Sequence, residues 1–152
     1  MQGRYEQFSF IVSVINRHIQ KIERDEMIKY GYKGAFAQYL MAMRHHPDGV
    51  TSAQLSEMCD KDKAAVSRVV TEMIEKGLVV RKCANETLYR AKLTLTQEGC
   101  KIADFVAKRA TAAVAAVGNE LSDEERKMFY STLDFIASKL QMISKEGIPQ
   151  EQ

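Results

Sequence analysis

Apolar residues recur at three- and four-residue steps along most of the chain, which is the spacing that places side chains on one face of a helix. These stripes predict helices over residues 5–24, 32–45 and 96–117, the last of them capped by Thr96. Ser122-Asp123-Glu124-Glu125 has the spacing of a capping box and is predicted to open one more helix. Residues 51–80 contain two shorter stripes separated by a polar turn. The pattern then changes to the alternation that is typical of a β-hairpin. The predicted fold class is therefore mainly α with a small β-hairpin.

Local signals mark the ends of the two short helices. Thr51 and Gln54 are spaced as a capping box, in which each side chain bonds a backbone N–H of the other. Asp60 suits the turn because Asp tolerates left-handed backbone geometry, and Asp62 can cap the second helix. Gly77 follows the last turn, where glycine is favoured. The stripes and the caps together predict a helix-turn-helix, whose second helix can lie across a DNA major groove.

The second short helix has two different faces. Its buried stripe is predicted to be Val66, Val69, Val70 and Met73, and the apolar side of the first helix to be Leu55, Met58 and Cys59. The candidate DNA contacts in the turn and on the second helix are Lys61, Lys63, Ala64, Ala65, Ser67, Arg68 and Thr71. Small alanines in the first turn let the backbone approach a base edge, and basic side chains can reach phosphates or, for Arg68, a guanine. An ordinary amphipathic helix with a solvated polar face is the alternative interpretation.

The chain resembles the MarR family of winged-helix transcriptional regulators along nearly its whole length, most densely from Val50 to Gly99. The similar stretches read GVTSAQLSEMCDKDKAAVSRVVTEMIEKGLV and, after the hairpin turn, KLTLTQEG. Leu95-Thr96-x-x-Gly99 is similar to the LTxxG signature that follows the family's wing, and EKGLV resembles the end of its recognition helix. The resemblance implies a winged helix-turn-helix in a homodimer that binds a pseudo-palindromic operator and is often released by a ligand or an oxidant.

The wing departs from the family pattern at one point. The family commonly has an Asp-x-Arg motif before the second wing strand, with its arginine in the minor groove, whereas this chain reads NETLYR at residues 85–90. Alternation predicts that the second strand turns Tyr89, Ala91, Leu93 and Leu95 inward and Arg90 and Lys92 outward. We therefore take Arg90 as the substitute contact, supported by Arg81 and Lys82, with a solvated surface arginine as the alternative.

The flanking helices carry wide apolar stripes. Helices that are this apolar and this far apart in sequence most simply bury one another and a second copy of themselves, although they could instead complete the core of a monomer. We therefore predict that residues 1–30 and 97–152 form dimerisation helices. Residues 31–96 are predicted to form the DNA-binding winged helix-turn-helix lobe.

Composition restricts the picture further. A net charge of +2 over 152 residues provides no basic tail, and the acids Glu72 and Glu75 are predicted to lie away from the contact face. No apolar run approaches the roughly 20 residues of a membrane span, and MQGRYEQFSF lacks the apolar core of a secretion signal. Three cysteines without paired spacing favour reduced thiols. These features predict a cytoplasmic protein without a membrane partner.

The sequence shows no catalytic or cofactor-binding motif. There is no nucleophile-and-base arrangement, phosphate-binding glycine loop or carboxylate pair, so we predict neither an enzyme nor a cofactor. His45 and His46 are adjacent and point in different directions on a helix, so no metal site is assigned. The favoured function is a homodimeric, sequence-specific regulator of transcription, a repressor released by a small-molecule effector. The alternatives are a winged-helix protein-interaction module and a redox- or metal-responsive regulator of the same fold, with Cys83 and Cys100 as the candidate thiols.

Overall fold

The computed structural model describes residues 2–83 and 91–150, and within them the chain forms helices and a two-stranded antiparallel sheet. The elements are α1 (Gln2–Lys29), α2 (Phe36–Arg44), α3 (Ser52–Cys59), α4 (Lys63–Glu75), β1 (Val79–Lys82), β2 (Lys92–Leu95), α5 (Gln97–Gly118) and α6 (Asp123–Glu146). The predicted fold class is confirmed. Across the described residues, no helix combines the length and apolarity needed to cross a bilayer. Residues 1–111 and 112–152 form two compact units.

The helix α1 is longer than its predicted range, and α2 is shorter. The end of α1 is held because Met27 is fully buried and the neighbouring Glu26 accepts a 2.7 Å hydrogen bond from Lys29. The connection to α2 is a tight turn, in which the Phe36 amide donates to the Lys33 carbonyl at 3.1 Å. Residues 32–35 therefore precede the helix instead of beginning it.

The helix-turn-helix has the predicted caps. Thr51 and Gln54 bond each other's backbone in a capping box, and the Asp62 carboxylate accepts a 2.8 Å bond from the Ala65 amide. Asp60 has φ 50° and ψ 51°, which is the left-handed geometry expected of the turn. These bonds supply partners for the amides that the start of a helix leaves unpaired, so the sequence itself fixes where α3 and α4 begin.

The core of the first unit joins α1 to α5 and the sheet. Its largest fully buried side chains include Met27, Phe36, Tyr39, Leu40, Met43, Leu55, Val66, Met73, Leu78, Leu93 and Ile102. The prediction for Met58 was wrong, because its side chain is 42% exposed. Met58 and Cys59 lie to either side of Leu55 on α3, and only the Cys59 side packs on α2, where the thiol is 3.8 Å from the Gln38 carbonyl oxygen.

The hairpin is antiparallel, and its register is Val79↔Leu95, Val80↔Thr94, Arg81↔Leu93 and Lys82↔Lys92. Val50, just before α3, pairs with the other edge of β2 through two backbone bonds to Leu93, of 3.0 and 2.7 Å. Leu93 and Ala91 are buried and Leu95 is half-buried, which confirms the inward side of this strand as far as it is described. Tyr89 and Arg90 lie outside the described residues.

The Leu95-Thr96-x-x-Gly99 motif joins the hairpin to α5. The Thr96 hydroxyl donates to the Gly77 carbonyl at 2.6 Å and accepts from the Gly99 amide at 3.0 Å, which confirms its predicted capping role. The Thr96 amide also donates to the Leu78 carbonyl at 3.0 Å. A Cβ at Gly99 would lie 3.0 Å from the Leu78 carbonyl carbon and would overlap its oxygen. The motif thus fixes the start of α5 directly against the short segment that joins α4 to β1.

The second unit contains the end of α5 and the whole of α6. Ser122 and Glu125 form the predicted capping box, and the Arg126 guanidinium closes the turn by donating to the carbonyls of Gly118 at 2.9 Å and Leu121 at 3.1 Å. None of the α6 side chains is buried. Its exposed apolar side chains are Met128, Phe129, Tyr130, Leu133, Phe135, Leu140 and Met142.

Candidate nucleic-acid interface

Helix α4 is amphipathic in the way that the sequence predicts. Val66, Val70 and Met73 are buried and Val69 is half-buried, so this stripe holds the helix against the core. The exposed candidates in the preceding turn and on the helix are Lys61, Lys63, Ala64, Ser67, Arg68 and Thr71. Ala65 is half-buried, because it lies on the flank of α4 next to the buried stripe. One side of α4 therefore exposes small and basic side chains, while its other side is packed firmly against the core.

The hydroxyl of Thr71 is already engaged within α4. It donates a 2.9 Å hydrogen bond to the Ser67 carbonyl, one turn earlier. This bond uses the hydroxyl proton and fixes the side-chain rotamer, but leaves lone pairs on the oxygen. Thr71 can therefore accept a hydrogen bond from a base amino group, and its methyl group can contact a thymine methyl.

The two basic residues of β1 do not share a face. Arg81 lies opposite Leu93 and Lys82 lies opposite Lys92 in the hairpin register. Successive side chains of a strand point to opposite sides, so Arg81 belongs to the same side as Leu93 and Lys82 to the outer side. Both are exposed. Lys82 and Lys92 therefore form the basic pair of the outer face, and the support of Arg81 and Lys82 for a contact by Arg90 stays a prediction.

The acids of α4 lie closer to the candidate surface than the apolar and polar pattern predicted. Glu72 comes four residues after Arg68, and Glu75 comes four residues after Thr71. Residues four apart are neighbours on a helix surface, so the prediction that both acids lie away from this face was wrong. Glu75 is exposed, whereas Glu72 is half-buried and forms an ion pair with Lys33 from the turn before α2.

A cleft of about 240 Å³ lies between α1, the start of α2 and the helix-turn-helix turn. Its lining residues are Gln20, Glu23, Arg24, Gly34, Ala35, Gln38 and Lys61. Burial raises the pKa of the Glu23 carboxyl in this cleft. No sequence pattern indicated this cleft, because the lining comes from three separate segments and has no motif of its own. Lys61 belongs both to this cleft and to the candidate DNA surface.

The cysteines differ in exposure. Cys59 is half-buried, and burial raises the pKa of its thiol, which reduces the thiolate that reacts with oxidants. Cys83 and Cys100 are exposed, and all three thiols are free. In residues 2–83 and 91–150, no group of three His, Cys, Asp or Glu side chains is placed to hold a metal ion.

Comparisons with known proteins agree with this architecture. The sequence model of the MarR family matches residues 30–87, whereas no curated protein sequence matches the chain. A MarR transcriptional regulator from Methanosarcina mazei Go1 superposes with a TM-score of 0.78 at 20% identity, over 91% of this chain and 99% of that chain. A putative MarR family transcriptional regulator from Listeria monocytogenes, complexed with 26mer DNA, has a TM-score of 0.71 at 16% identity, over 92% and 95% of the two chains. MepR from S. aureus, in a complex with DNA, has a TM-score of 0.67 at 16% identity, over 87% and 97%.

The family match covers the part of the chain that contains the helix-turn-helix and the exposed side of α4. Residues 30–87 contain α2, the capped helix-turn-helix and β1, which are the elements that hold the exposed side of α4 in place. The solved structures share the six-helix arrangement with its two-stranded hairpin beyond these limits. The resemblance inferred from the sequence is confirmed, because the MarR family model matches residues 30–87 and solved MarR structures share the winged-helix fold of this chain.

Proposed function

We propose that this chain is a sequence-specific, DNA-binding regulator of transcription that acts as a homodimeric repressor. The observation that carries the proposal is the exposed side of α4, where small, hydroxyl-bearing and basic side chains surround Arg68. Two capped helices and a buried apolar stripe hold that side rigidly, which suits a helix that must fit a major groove. MepR and the Listeria regulator were each solved in a complex with DNA, which supports DNA as the partner of this fold.

A homodimer would give the protein two recognition helices. The apolar side chains exposed near the start of α1 support this proposal, and they are Tyr5, Phe8, Phe10, Ile11, Val12 and Ile15. The exposed apolar side chains of α6 support it independently. A symmetric dimer of helix-turn-helix proteins reads two half-sites about one helical turn apart, or roughly 34 Å, so the proposed operator is pseudo-palindromic.

We propose that a small-molecule effector releases the protein from DNA by binding in the cleft described above. The cleft that contains Lys61 joins α1 to the turn between α3 and α4. A molecule bound there would contact a side chain that the repressor also needs for a phosphate. Its binding energy would then oppose DNA binding, since a ligand shifts an equilibrium only by its differential affinity for the two states.

Replacing Arg68 with alanine tests the proposed DNA surface. We first expect selection from a random duplex pool to recover a palindromic site. The Arg68→Ala variant should then bind that site more weakly by roughly 1–3 kcal/mol, the range for one strong base or phosphate contact. Fluorescence anisotropy at fixed salt measures the change. Lys101→Ala is the matched control, because it removes the same charge from an exposed position on α5. Equal affinity of folded Arg68→Ala and wild-type protein would refute the assignment of this surface.

The wing is tested through the salt dependence of binding. If Arg90, which lies outside the described residues, replaces the family's missing arginine, Arg90→Ala should weaken binding to many sequences almost uniformly. The slope of log affinity against log salt should fall by about one for each phosphate that a subunit no longer binds. Ser67→Ala should instead change the preferred sequence and leave the slope nearly intact. An unchanged slope and affinity for Arg90→Ala would mean that Arg90 does not touch DNA.

A further inference from the structure

An ion pair connects the candidate recognition helix to a distant part of the chain. The ammonium group of Lys33, in the turn between α1 and α2, bonds the carboxylate of Glu72 on α4, which is 39 residues away in sequence. The side chain of Glu72 is 38% exposed and that of Lys33 is 66% exposed. Exposed pairs of this kind typically add about 0–1 kcal/mol to stability, so stabilising the fold is a weak explanation for this contact.

The backbone of Lys33 is held in place. Its carbonyl accepts the 3.1 Å bond from the Phe36 amide, and the Gly34 carbonyl accepts a 3.0 Å bond from the Ala37 amide. Gly34 also packs so closely on α1 that a Cβ there would lie 3.3 Å from the Arg24 Cβ. The Lys33 side chain therefore starts from a fixed point, and its ammonium group is presented to α4 without ordering a flexible loop.

The position of Glu72 gives the ion pair its importance. Without Lys33, the basic groups at helical spacing from Glu72 would be Arg68, four residues earlier, and the cap residue Lys76, four residues later, and pairs at this spacing attract each other. Within the described part of the chain, Arg68 has no acidic partner. An uncompensated Glu72 would draw Arg68 away from DNA and would also repel the phosphates.

We propose that Lys33 is a positioning residue for DNA recognition, which neutralises Glu72 and so leaves Arg68 available to DNA. This inference rests on the proposed DNA-binding function. It makes the turn before α2 part of the recognition apparatus, although Lys33 itself need not touch DNA. The effect is electrostatic, because the same carboxylate either is compensated by Lys33 or competes with DNA for Arg68.

A set of substitutions separates this role from the others. Lys33→Ala should weaken binding of the duplex selected by the wild-type protein about threefold to tenfold, the size of one charge–charge term near a protein surface. Lys33→Ala/Glu72→Gln should restore affinity to within about twofold of wild type, because the competing charge is gone. Lys33→Arg should keep the wild-type affinity, since it preserves the pair. Lys21→Ala is the matched control, because it breaks another exposed ion pair, Lys21–Asp25, on α1.

Each outcome decides between the roles. If Lys33 instead binds a phosphate itself, both Lys33→Ala and the double variant bind more weakly, and the salt slope falls by about one per subunit. If Lys33 only supports the fold, thermal unfolding shifts and the Glu72→Gln replacement does not rescue DNA binding. Either result overturns the inference, as does an unchanged affinity for Lys33→Ala. A wild-type protein that selects no duplex would instead contradict the proposed function.

Discussion

Gly99→Ala is expected to destabilise the protein by about 2 kcal/mol or more, which is within or above the usual range for overpacking a close contact. The added methyl group would overlap the carbonyl oxygen of Leu78, and this obstacle is backbone, not the movable end of a side chain. To relieve the overlap, α5 must move away from the segment that joins α4 to β1. That movement strains the three bonds through which Thr96 connects Gly77, Leu78 and Gly99.

Thermal unfolding followed by circular dichroism measures the effect. A destabilisation of this size should lower Tm by roughly 4–8 °C for a chain of this length. Gly3→Ala is the matched control, since Gly3 lies in α1 and a Cβ there would meet nothing within 4 Å. Alanine exceeds glycine in helix propensity by about 1 kcal/mol at most, so the control should be neutral or slightly stabilised. A Gly99→Ala protein that melts with the wild type would show that α5 does not need this close approach.

The helix boundaries that depend on nearby residues could be predicted from the sequence. Thr51 needs only Gln54 to form its capping box, and Asp62 needs only an amide three residues later. These bonds form within a single turn of chain, so they do not depend on the rest of the fold. The buried stripe of α4 could be predicted for the same reason, because its spacing is a property of the helix itself.

The exposure of individual side chains depends on tertiary packing and was harder to predict. Met58 belongs to the apolar pattern of α3, but α2 covers the neighbouring Cys59 side instead. Which of Arg81 and Lys82 lies on the same side as Leu93 follows from the hairpin register, which the sequence alone left open. The pairing of Glu72 with Lys33 joins residues that no local pattern relates.

The LTxxG motif shows what a family resemblance adds and what it leaves out. The resemblance identified Thr96 and Gly99 as members of a signature, and the spacing of Thr96 to the next helix predicted a cap. Neither could indicate that Gly99 packs on Leu78, because that contact joins two elements on either side of the hairpin. The physical role of the glycine is therefore close packing between backbones, which is visible only in three dimensions.

Disrupting the apolar side of α6 is expected to dissociate the proposed dimer. None of the side chains of this 24-residue helix is buried, and large apolar side chains are among the exposed ones. Phe129 is 46% exposed and Leu140 is 51% exposed. Exposed apolar surface favours association, because burying it contributes about 25 cal/mol of favourable free energy for each Å² removed from water. Deleting residues 123–152 should therefore abolish the dimer and leave other apolar helix faces uncovered, which would lead to aggregation or loss of folding.

Substitutions on α6 make the test independent of whether the truncated chain folds. Leu133→Asp/Leu140→Asp places two carboxylates in the proposed interface, where burying an unpaired charge costs several kcal/mol. Sedimentation equilibrium should then give the 17.2 kDa mass of one chain instead of twice that mass. Binding to a palindromic duplex should weaken strongly, because two linked half-site contacts become separate events. Ser131→Asp/Gln141→Asp adds the same charges to exposed polar positions of α6 and should remain dimeric. A soluble monomer that binds DNA as well as the full chain, from either the truncation or the Leu variant, would contradict the proposed dimerisation role of this helix.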